Sequence, residues 1–517
     1  MKNLFAIVMV ITLLPMTSWA QEFGPAGYYI DALRFSQTNT GGSARIQALG
    51  GSNVALGAEI TSASSNPAGL GLYNKSEFSL TPGFTYTANK STLYGSEVVN
   101  HSIFDRLSNI GLVINNTNNN ESGWYGGSFG FSVNKINDFD NKIEYSSINN
   151  QNSIIDHFIA SANGSSANKF AALSEATDIT TLAYYTYLIG PWNVIDANNP
   201  DDEYFSDITL DLKPSLRQKE LIETSGSQYQ WSFSYGGNFS DIVYVGFGVS
   251  VVSLNYYALT SYSESEFDYS ADDASYDPIY HINLDEDLTI KGAGINNTFG
   301  IIIRPVSFIR LGASITSPTF YHLTDTYNAT LAADWNNFLY QDIIGGDTVL
   351  NYLEASTRKL VSRYNLSTPL KATVGIAVFL GKMGFITADL EYLDYKSTWL
   401  NSSNFSMAAD NDFIKNNYSS AYNLKTGVEI RLDNLRLRAG YAINHTPSLT
   451  NLNYKGLNQK ISAGAGWYNK QFFADFTVVN SYLKDIYSPY TLSDGSQPNV
   501  DLRKTSFSGI ATVGIKF

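Results

Sequence analysis

Apolar and polar positions alternate through most of the chain, and most clearly at its C-terminal end. In the segment KTSFSGIATVGIKF, every second position from Phe507 to Phe517 is apolar or glycine, and the positions between are mostly small or polar. A period of two is that of a β-strand. One apolar face opposite a mostly polar one is typical of a membrane β-strand. For this segment alone, the edge strand of a secreted sandwich is the alternative.

The same alternation recurs and predicts about 14 strands. They are residues 76–88, 98–115, 123–136, 226–239, 242–264, 287–304, 307–324, 357–380, 384–399, 419–432, 434–445, 457–468, 471–483 and 503–517. Connections after even-numbered strands are short and those after nearly all odd-numbered strands are long, with 137–225 the longest. This asymmetry is typical of outer-membrane barrels, whose long loops are extracellular. The predicted fold is an all-β, 14-stranded antiparallel transmembrane β-barrel, closed because unpaired backbone groups are costly in lipid.

The N-terminal residues are predicted to lie outside the barrel wall. Residues 1–20 have the features of a secretory signal peptide: Lys2, the apolar stretch LFAIVMVITLLPM and the small-x-small site Ser18-Trp19-Ala20. Residues 76–517 form the barrel with its long extracellular loops. A 14-stranded barrel is wider than those filled by side chains alone. Residues 21–75 are therefore predicted to enter from the periplasmic side as a plug, or hatch.

Composition removes several other classes of protein. The formal net charge is −14, which argues against nucleic acid as a partner. Charged residues make up 15% of the chain, against roughly 25% in a typical soluble protein. After residue 20 there is no run of 18 apolar residues, so helical membrane spans are not expected. With no cysteine, neither a lipidated N-terminus nor a disulfide framework is expected.

The segment ARIQALGGSNVALGAEITSASSNPAGLGLY, residues 44–73, resembles the hatch of FadL/TodX-type transporters. These are outer-membrane carriers of long-chain fatty acids and aromatic hydrocarbons. The matching features are Arg45, Leu49-Gly50-Gly51, Ala55, Asn66-Pro67-Ala68 and Gly69-Leu70. Residues 369–395 resemble a late hairpin of that family, and the Asn- and Tyr-rich style is similar to Bacteroidetes members.

The resemblance implies passive, ligand-gated uptake of a hydrophobic molecule through three stations. The first is an extracellular loop groove, for which the candidates are Ile155, Phe158, Ile159, Tyr184, Tyr185, Leu188 and Trp192. The second is a lumenal pocket above the hatch, gated by Asn66, Pro67, Ala68 and Gly69. The third is a lateral opening at a kink of the third strand, for which the candidates are Gly126, Gly127 and Gly130. Each station has an alternative. The groove residues could be ordinary loop packing, the hatch motif could be a structural turn without a gating role, and the glycines could simply fit the aromatic girdle.

Lumenal cations are candidates for contacting a ligand carboxylate. They are Lys425, Arg436 and Arg438. Acidic residues of neighbouring strands alternate with them, namely Asp389, Glu391, Glu429 and Asp475. A self-neutralising network of these charges is the alternative, and it is the one we favour.

The sequence contains no convincing motif for a catalytic site or a metal site. Gly126–Gly130 fits G-x-S-x-G around Ser128, but that motif needs a strand, a sharp turn and a helix. The five histidines lack metal-ligand spacing. We expect no enzyme activity, no metal and no cofactor. The expected partners are a hydrophobic ligand of undetermined identity, outer-membrane lipid and lipopolysaccharide, and the barrel assembly machinery, with the protein a monomer. A scaffold or shuttle in protein secretion, a general diffusion porin and a lipase are the alternative functions.

Overall fold

The computed structural model describes residues 27–39, 41–117, 123–166, 170, 175–191, 203–210, 212–213, 215–269, 278–342, 346–445 and 457–517. The predicted signal peptide, residues 1–20, and the groove candidate Trp192 lie outside these residues. No helix in the described ranges is both long and apolar enough to cross a membrane.

Fourteen antiparallel strands form a closed barrel. They are β1 (Glu77–Leu93), β2 (Ser96–Thr117), β3 (Trp124–Asp138, continued by Asn141–Asn149), β4 (Leu216–Phe239), β5 (Val243–Ser265), β6 (Ile279–Val306), β7 (Ile309–Thr316 and Phe320–Asp342), β8 (Leu360–Ser367 and Lys371–Phe379), β9 (Gly384–Asp394 and Trp399–Asn401), β10 (Ser420–Leu432), β11 (Leu435–His445), β12 (Leu457–Tyr468), β13 (Phe472–Tyr487) and β14 (Val500–Lys516). Each strand pairs with the next, and β14 pairs with β1 along Glu77–Thr92, which closes the wall. The predicted 14-stranded barrel is confirmed.

Several strands continue beyond their predicted ends on the extracellular side. β4 begins at Leu216 and β3 continues to Asn149, so the longest loop is 150–215 rather than 137–225. The outer half of β7 forms a hairpin with a further strand, Gly346–Ser356. In the outer half of β7 the alternation continues with its polarity reversed: Tyr327, Leu331 and Trp335 are buried on the inner side, and polar residues such as Asn328 and Asp334 lie between them on the outer side. This outer half therefore does not show the apolar-out pattern that predicted the rest.

The helices lie in the N-terminal segment and the loops. They are α1 (Tyr28–Ser36), α2 (Ala44–Ala48), α3 (Ser62–Ser65), α4 (Ile154–Ala162), α5 (Ile179–Tyr185), α6 (Asp207–Leu210) and α7 (Ala408–Asn417), with 3-10 turns at Pro67–Leu72 and Tyr395–Ser397. Two short strand pairs, Gly190–Pro191 with Tyr204–Phe205 and Leu212–Lys213 with Asp268–Tyr269, complete the loops.

The outer face of the barrel is apolar and its inner face is polar. Large exposed residues of the outer face include Phe84, Phe129, Phe233, Phe247, Phe299, Val374, Ile461, Phe476 and Val513. Buried residues of the inner face include Ser128, Ser232, Thr298, Thr373, Thr477 and Thr512. A soluble sandwich has the reverse arrangement, so this is an outer-membrane β-barrel.

Candidate functional site

The 3-10 turn Pro67–Leu72 of the hatch lies directly on the inner wall of the barrel. Gly236, Gly246 and Gly300 occupy one row across β4, β5 and β6, each directly opposite the next. A Cβ on Gly246 would overlap the Pro67 carbonyl carbon, and one on Gly236 would lie 2.7 Å from the Gly71 nitrogen. We call these three residues the glycine row. Because the glycine row has no side chains, the backbone of the turn can lie directly against the backbone of the wall.

Asn66 ties this turn to both the hatch and the wall. Its side chain is fully buried, and its Nδ2 donates to the carbonyl oxygen of Val54 at 2.7 Å and to that of Ile301 in β6 at 3.3 Å. Its Oδ1 accepts a hydrogen bond from the Ala68 nitrogen at 3.2 Å. The predicted gating residues Asn66 to Gly69 thus lie at the contact between hatch and barrel. Their movement stays a prediction.

An ion-pair network fastens the base of the hatch, residues 41–75, to the far wall. Arg45 of α2 lies 3.3 Å from Glu429, which also pairs with Arg438 at 2.8 Å. Arg438 pairs in turn with Asp475 at 2.5 Å, and the side chains of these last three residues are at most 2% exposed. The predicted ligand contact Arg438 is therefore neutralised within the protein.

The other two predicted carboxylate contacts are also engaged elsewhere. Lys425 pairs with Glu391 at 3.0 Å in a buried position. Arg436 is half-buried beside the turn between β10 and β11, where it donates to the carbonyl oxygens of Asp433 and Leu435. The buried cations Lys425 and Arg438 are therefore part of a self-neutralising network, because each lies beside an acid of a neighbouring strand. Their contact with a ligand carboxylate stays a prediction.

Helix α1 fills the apolar part of the lumen above the hatch base. The ring of Tyr28 packs on Tyr364 with centroids 4.8 Å apart, and Phe35 packs on Phe139 at 5.7 Å. Asp31 is buried beside Arg34 at 2.5 Å. Burial raises the pKa of Asp31 to about 6, with Arg34 opposing the shift, Asp325 and Asp410 adding to it, and the Tyr364 hydroxyl donating to the carboxylate. Residues 28–36 fall within the predicted hatch, 21–75, but their place in this apolar part of the lumen was not predicted.

A polar cavity of about 100 Å³ lies between α1 and the hatch base. Its lining includes Asn39, Asn53, Asn134, Asn296, Asp389 and Lys425. Asp389 Oδ2 accepts from the backbone nitrogens of Asn53 at 2.7 Å and Val54 at 3.0 Å, which adds another hatch attachment. The cavity has room for a few water molecules.

The predicted groove residues are packed into a cap over the extracellular end. Ile155, Phe158 and Leu188 are fully buried in one cluster with residues of β5 to β7. Ile159, Tyr184 and Tyr185 pack against the same cluster. This arrangement fits the alternative of loop packing, and an open groove stays a prediction.

The third strand, β3, has two irregularities, one at Gly126 and one after Lys135. Gly130 pairs regularly with Val113 and faces the hatch residue Leu70, and Gly127 is also paired on both sides. Gly126 has a φ of 95° at a bulge near the start of β3. A bulge is therefore present at Gly126, while Gly127 and Gly130 allow close packing. A lateral opening at these glycines stays a prediction.

The second irregularity lies at residues 135–140, where β3 separates from β2. The ladder between β2 and β3 ends at Asn109 and Asn134, and a register shift against β4 follows. Asn141–Asn149 then packs inside the wall, where Asn89 of β1 donates to the Lys142 carbonyl oxygen at 2.7 Å. Residues 96–108 of β2 pair with β1 but, within the described residues, with no strand on their other side. We call this gap the slot. The polar run NKINDFDN, residues 134–141, is the sequence signal that marks it.

The C-terminal end of α1 is bonded to the same kink. The Asn39 nitrogen donates to the Ile136 carbonyl oxygen at 2.7 Å. Asn137 Nδ2 donates to the carbonyl oxygens of Gln37 at 2.9 Å and Arg34 at 3.4 Å. The residues that follow α1 therefore contact the inner side of the slot directly.

Ser128 does not lie in the setting of a nucleophile elbow. It is buried in the middle of regular β3 pairing and accepts a hydrogen bond from Asn115 Nδ2 at 2.9 Å. The strand continues on both sides of it, whereas the elbow needs a sharp turn into a helix.

Comparison with solved structures identifies the fold. The chain is similar to a FadL homologue from Pseudomonas aeruginosa, with 13% identity, 93% of this chain and 98% of that chain covered, and a TM-score of 0.54. It also aligns with the toluene transporter TodX of P. putida, at 13% identity, covering 92% of this chain and 99% of that one with a TM-score of 0.48. No family model and no curated protein matches. The resemblance inferred from residues 44–73 is thus confirmed at the level of the fold.

Proposed function

We propose that this protein takes up hydrophobic molecules across the outer membrane by passive transport gated by its hatch. The observation that carries the proposal is the combination of a lipid-facing barrel with a separate N-terminal segment that is held against the lumenal wall by hydrogen bonds and ion pairs, such as those of Arg45, Asn66 and Asp389. A FadL homologue has the same fold, and TodX is named as a toluene transporter. Long-chain fatty acids and aromatic hydrocarbons are therefore the first ligands to test.

The proposed route begins at the extracellular cap and ends at the slot. A ligand entering beneath α4 and α5 meets the aromatic chamber that α1 now fills. Displacing α1 would expose Phe139, Tyr256 and Tyr364, an apolar surface suited to an acyl chain or an aromatic ring. The slot beside β3 then offers a sideways exit above the hatch base. A diffusion porin fits less well, because the described lumen is occupied by α1 and the hatch base.

Native mass spectrometry of the purified barrel tests the proposal. The parent protein should retain an apolar small molecule in mild detergent. Asn66→Ala removes the bonds to Val54 and Ile301, and should change the occupancy because it loosens the hatch. Asn404→Ala, which alters an exposed loop residue, is the control. An empty parent barrel that also takes up no fatty acid or toluene in proteoliposomes would reject the proposal, and a retained protein would favour the secretion scaffold.

A further inference from the structure

The free edge of β2 at the slot carries backbone groups without a strand partner. Residues 96–108 pair with β1, and the ladder on the other side ends at Asn109. In lipid each unsatisfied backbone group costs several kcal/mol, so irregular backbone at membrane depth persists where protein or water covers it. Part of the edge is covered from inside, since Asn100 donates to Glu144 at 3.1 Å and Ser147 donates to Ser96 at 3.1 Å. Residues 101–108 lack such cover among the described contacts.

Polar side chains on the inner side of this edge are also unsatisfied. Arg106 Nε, Ser108 Oγ and Asn109 Oδ1 are buried and have no hydrogen-bond partner within the described protein. A buried polar group that is left dry and unbonded is destabilising. Buried polar groups of this kind are normally bonded to ordered water. Three of them side by side beside an open edge indicate that the slot is wet.

Asp105 places a carboxylate on the lipid-facing side of the same edge. It is exposed and lies directly opposite Phe84 in the ladder between β1 and β2. Its neighbours on the outer face of β2 are Ile103, which is 69% exposed, and Leu107. Phe84 is six residues above Phe78 at the periplasmic rim. With a rise of about 3.3 Å per residue and a tilt of about 40°, Asp105 lies roughly 15 Å above that rim, within an apolar band about 25 Å tall.

We propose that the slot is a water-filled path and that Asp105 holds water at its lipid-facing mouth. A carboxylate at this depth keeps its hydration by drawing water and thinning the bilayer locally. The polar head of an amphiphile then crosses the wall in water while its tail stays in lipid. Because Asp105 accepts hydrogen bonds, the slot suits a head that donates them, such as an alcohol, an amine or a protonated acid. The cargo rests on the proposed uptake function, whereas the hydration does not.

Thiol labelling tests the hydration directly, because the chain contains no cysteine. Ile103→Cys places one thiol on the outer face two residues from Asp105. Val374→Cys, on β8, is the matched control, since Val374 is 56% exposed in the apolar band far from the slot. A membrane-impermeant maleimide reacts with the thiolate, which forms in water and not in lipid. We expect Ile103→Cys in proteoliposomes to react at least about tenfold faster than Val374→Cys.

The role of Asp105 is tested by adding a second substitution to Ile103→Cys. Asp105→Leu should reduce the labelling rate to that of Val374→Cys, and Asp105→Asn should retain most of it, because an amide still binds water. Folding of each variant is checked by its heat-dependent migration on a gel. Equal rates for the two single-cysteine proteins would show a dry slot and overturn the proposal. Unchanged labelling in the Asp105→Leu variant would overturn the role of Asp105.

Uptake assays with matched cargoes test the second half of the proposal. Proteoliposomes are offered hexadecanol and hexadecane, which differ in the hydroxyl head. Asp105→Leu should slow hexadecanol and leave hexadecane unaffected. Equal slowing of both would overturn the head-group role. If the parent protein carries neither molecule, the uptake function fails while the labelling result still decides whether the slot is hydrated.

Discussion

Gly246→Ala should loosen the hatch without weakening the barrel. The new Cβ would overlap the Pro67 carbonyl carbon and lie 2.6 Å from the Pro67 oxygen, whereas ordinary contacts begin at 3.4 Å. The turn must therefore move by at least about 0.8 Å, the difference of these two distances. Backbone on both sides leaves no flexible side chain to absorb the overlap. The shift also lengthens the 3.3 Å bond from Asn66 to Ile301 beyond hydrogen-bonding range.

The expected cost follows from these contacts. Overpacking a close contact costs about 1–3 kcal/mol, and loss of the Asn66 bond adds about 1 kcal/mol. A reduction of about 2–4 kcal/mol in the free energy that holds the hatch raises its opening constant roughly 30- to 900-fold. The barrel strand itself should not suffer, because alanine is conformationally less costly than glycine in a strand.

Hydrogen exchange with mass-spectrometric readout measures the opening. Peptides from residues 41–72 should lose protection by roughly 30-fold or more, while peptides from β5 and β10 keep theirs. Ser314→Ala is the control, since Ser314 follows the glycine row on β7 and already carries a Cβ. Unchanged hatch protection in a folded Gly246→Ala barrel would refute the close contact between the glycine row and the turn.

Three further perturbations address the other attachments. Docking of α1 should weaken as pH rises from 3.8 towards 6, because the pKa of the buried Asp31 is raised and the docked state favours its protonated form. Hydrogen exchange of residues 28–36 as a function of pH measures this, and Asp31→Asn should remove the pH dependence. Glu429→Gln should cost about 3 kcal/mol in urea unfolding, because it leaves Arg45 and Arg438 facing each other, and a loss below 1 kcal/mol would contradict the network. Asn137→Ala should speed exchange in α1 by removing its bonds to the kink, and unchanged exchange there would count against that attachment.

The membrane-spanning part of the barrel could be predicted because lipid outside and polar groups inside impose a period of two. The strand 422–430 shows why: Tyr422, Leu424 and Ile430 face lipid, while Lys425 and Glu429 face the lumen. Above the membrane the outer face meets water, and in the extension of β7 the apolar residues Tyr327, Leu331 and Trp335 are buried on the inner side. This reversed pattern does not match the apolar-out pattern used to find the wall strands. The hatch was found through a local motif, Asn66-Pro67-Ala68, whose turn chemistry is visible in the sequence.

The details of the candidate site depended on contacts between distant residues. The glycine row is formed by Gly236, Gly246 and Gly300, which are separated by loops in the chain and meet through strand register. Glycines in a strand suggested a kink at Gly126–Gly130, but a glycine is also chosen where another backbone approaches, and the sequence does not distinguish these two uses. The lipid-facing position of Asp105 could not be predicted from the sequence, because the face on which it lies depends on the bulge between Thr81 and Pro82.

The bonds between α1 and the kink of β3 make the lumen and the lateral opening thermodynamically linked. A molecule that displaces α1 must break the bonds from Asn39 and Asn137 or drag Ile136 with them. If a bound ligand changes the conformation of the kink, then a change at the kink must alter the affinity for that ligand by the same coupling free energy, since binding linkage is reciprocal. In the proposed uptake, entry of a ligand and its exit through the slot would therefore depend on the same conformational equilibrium.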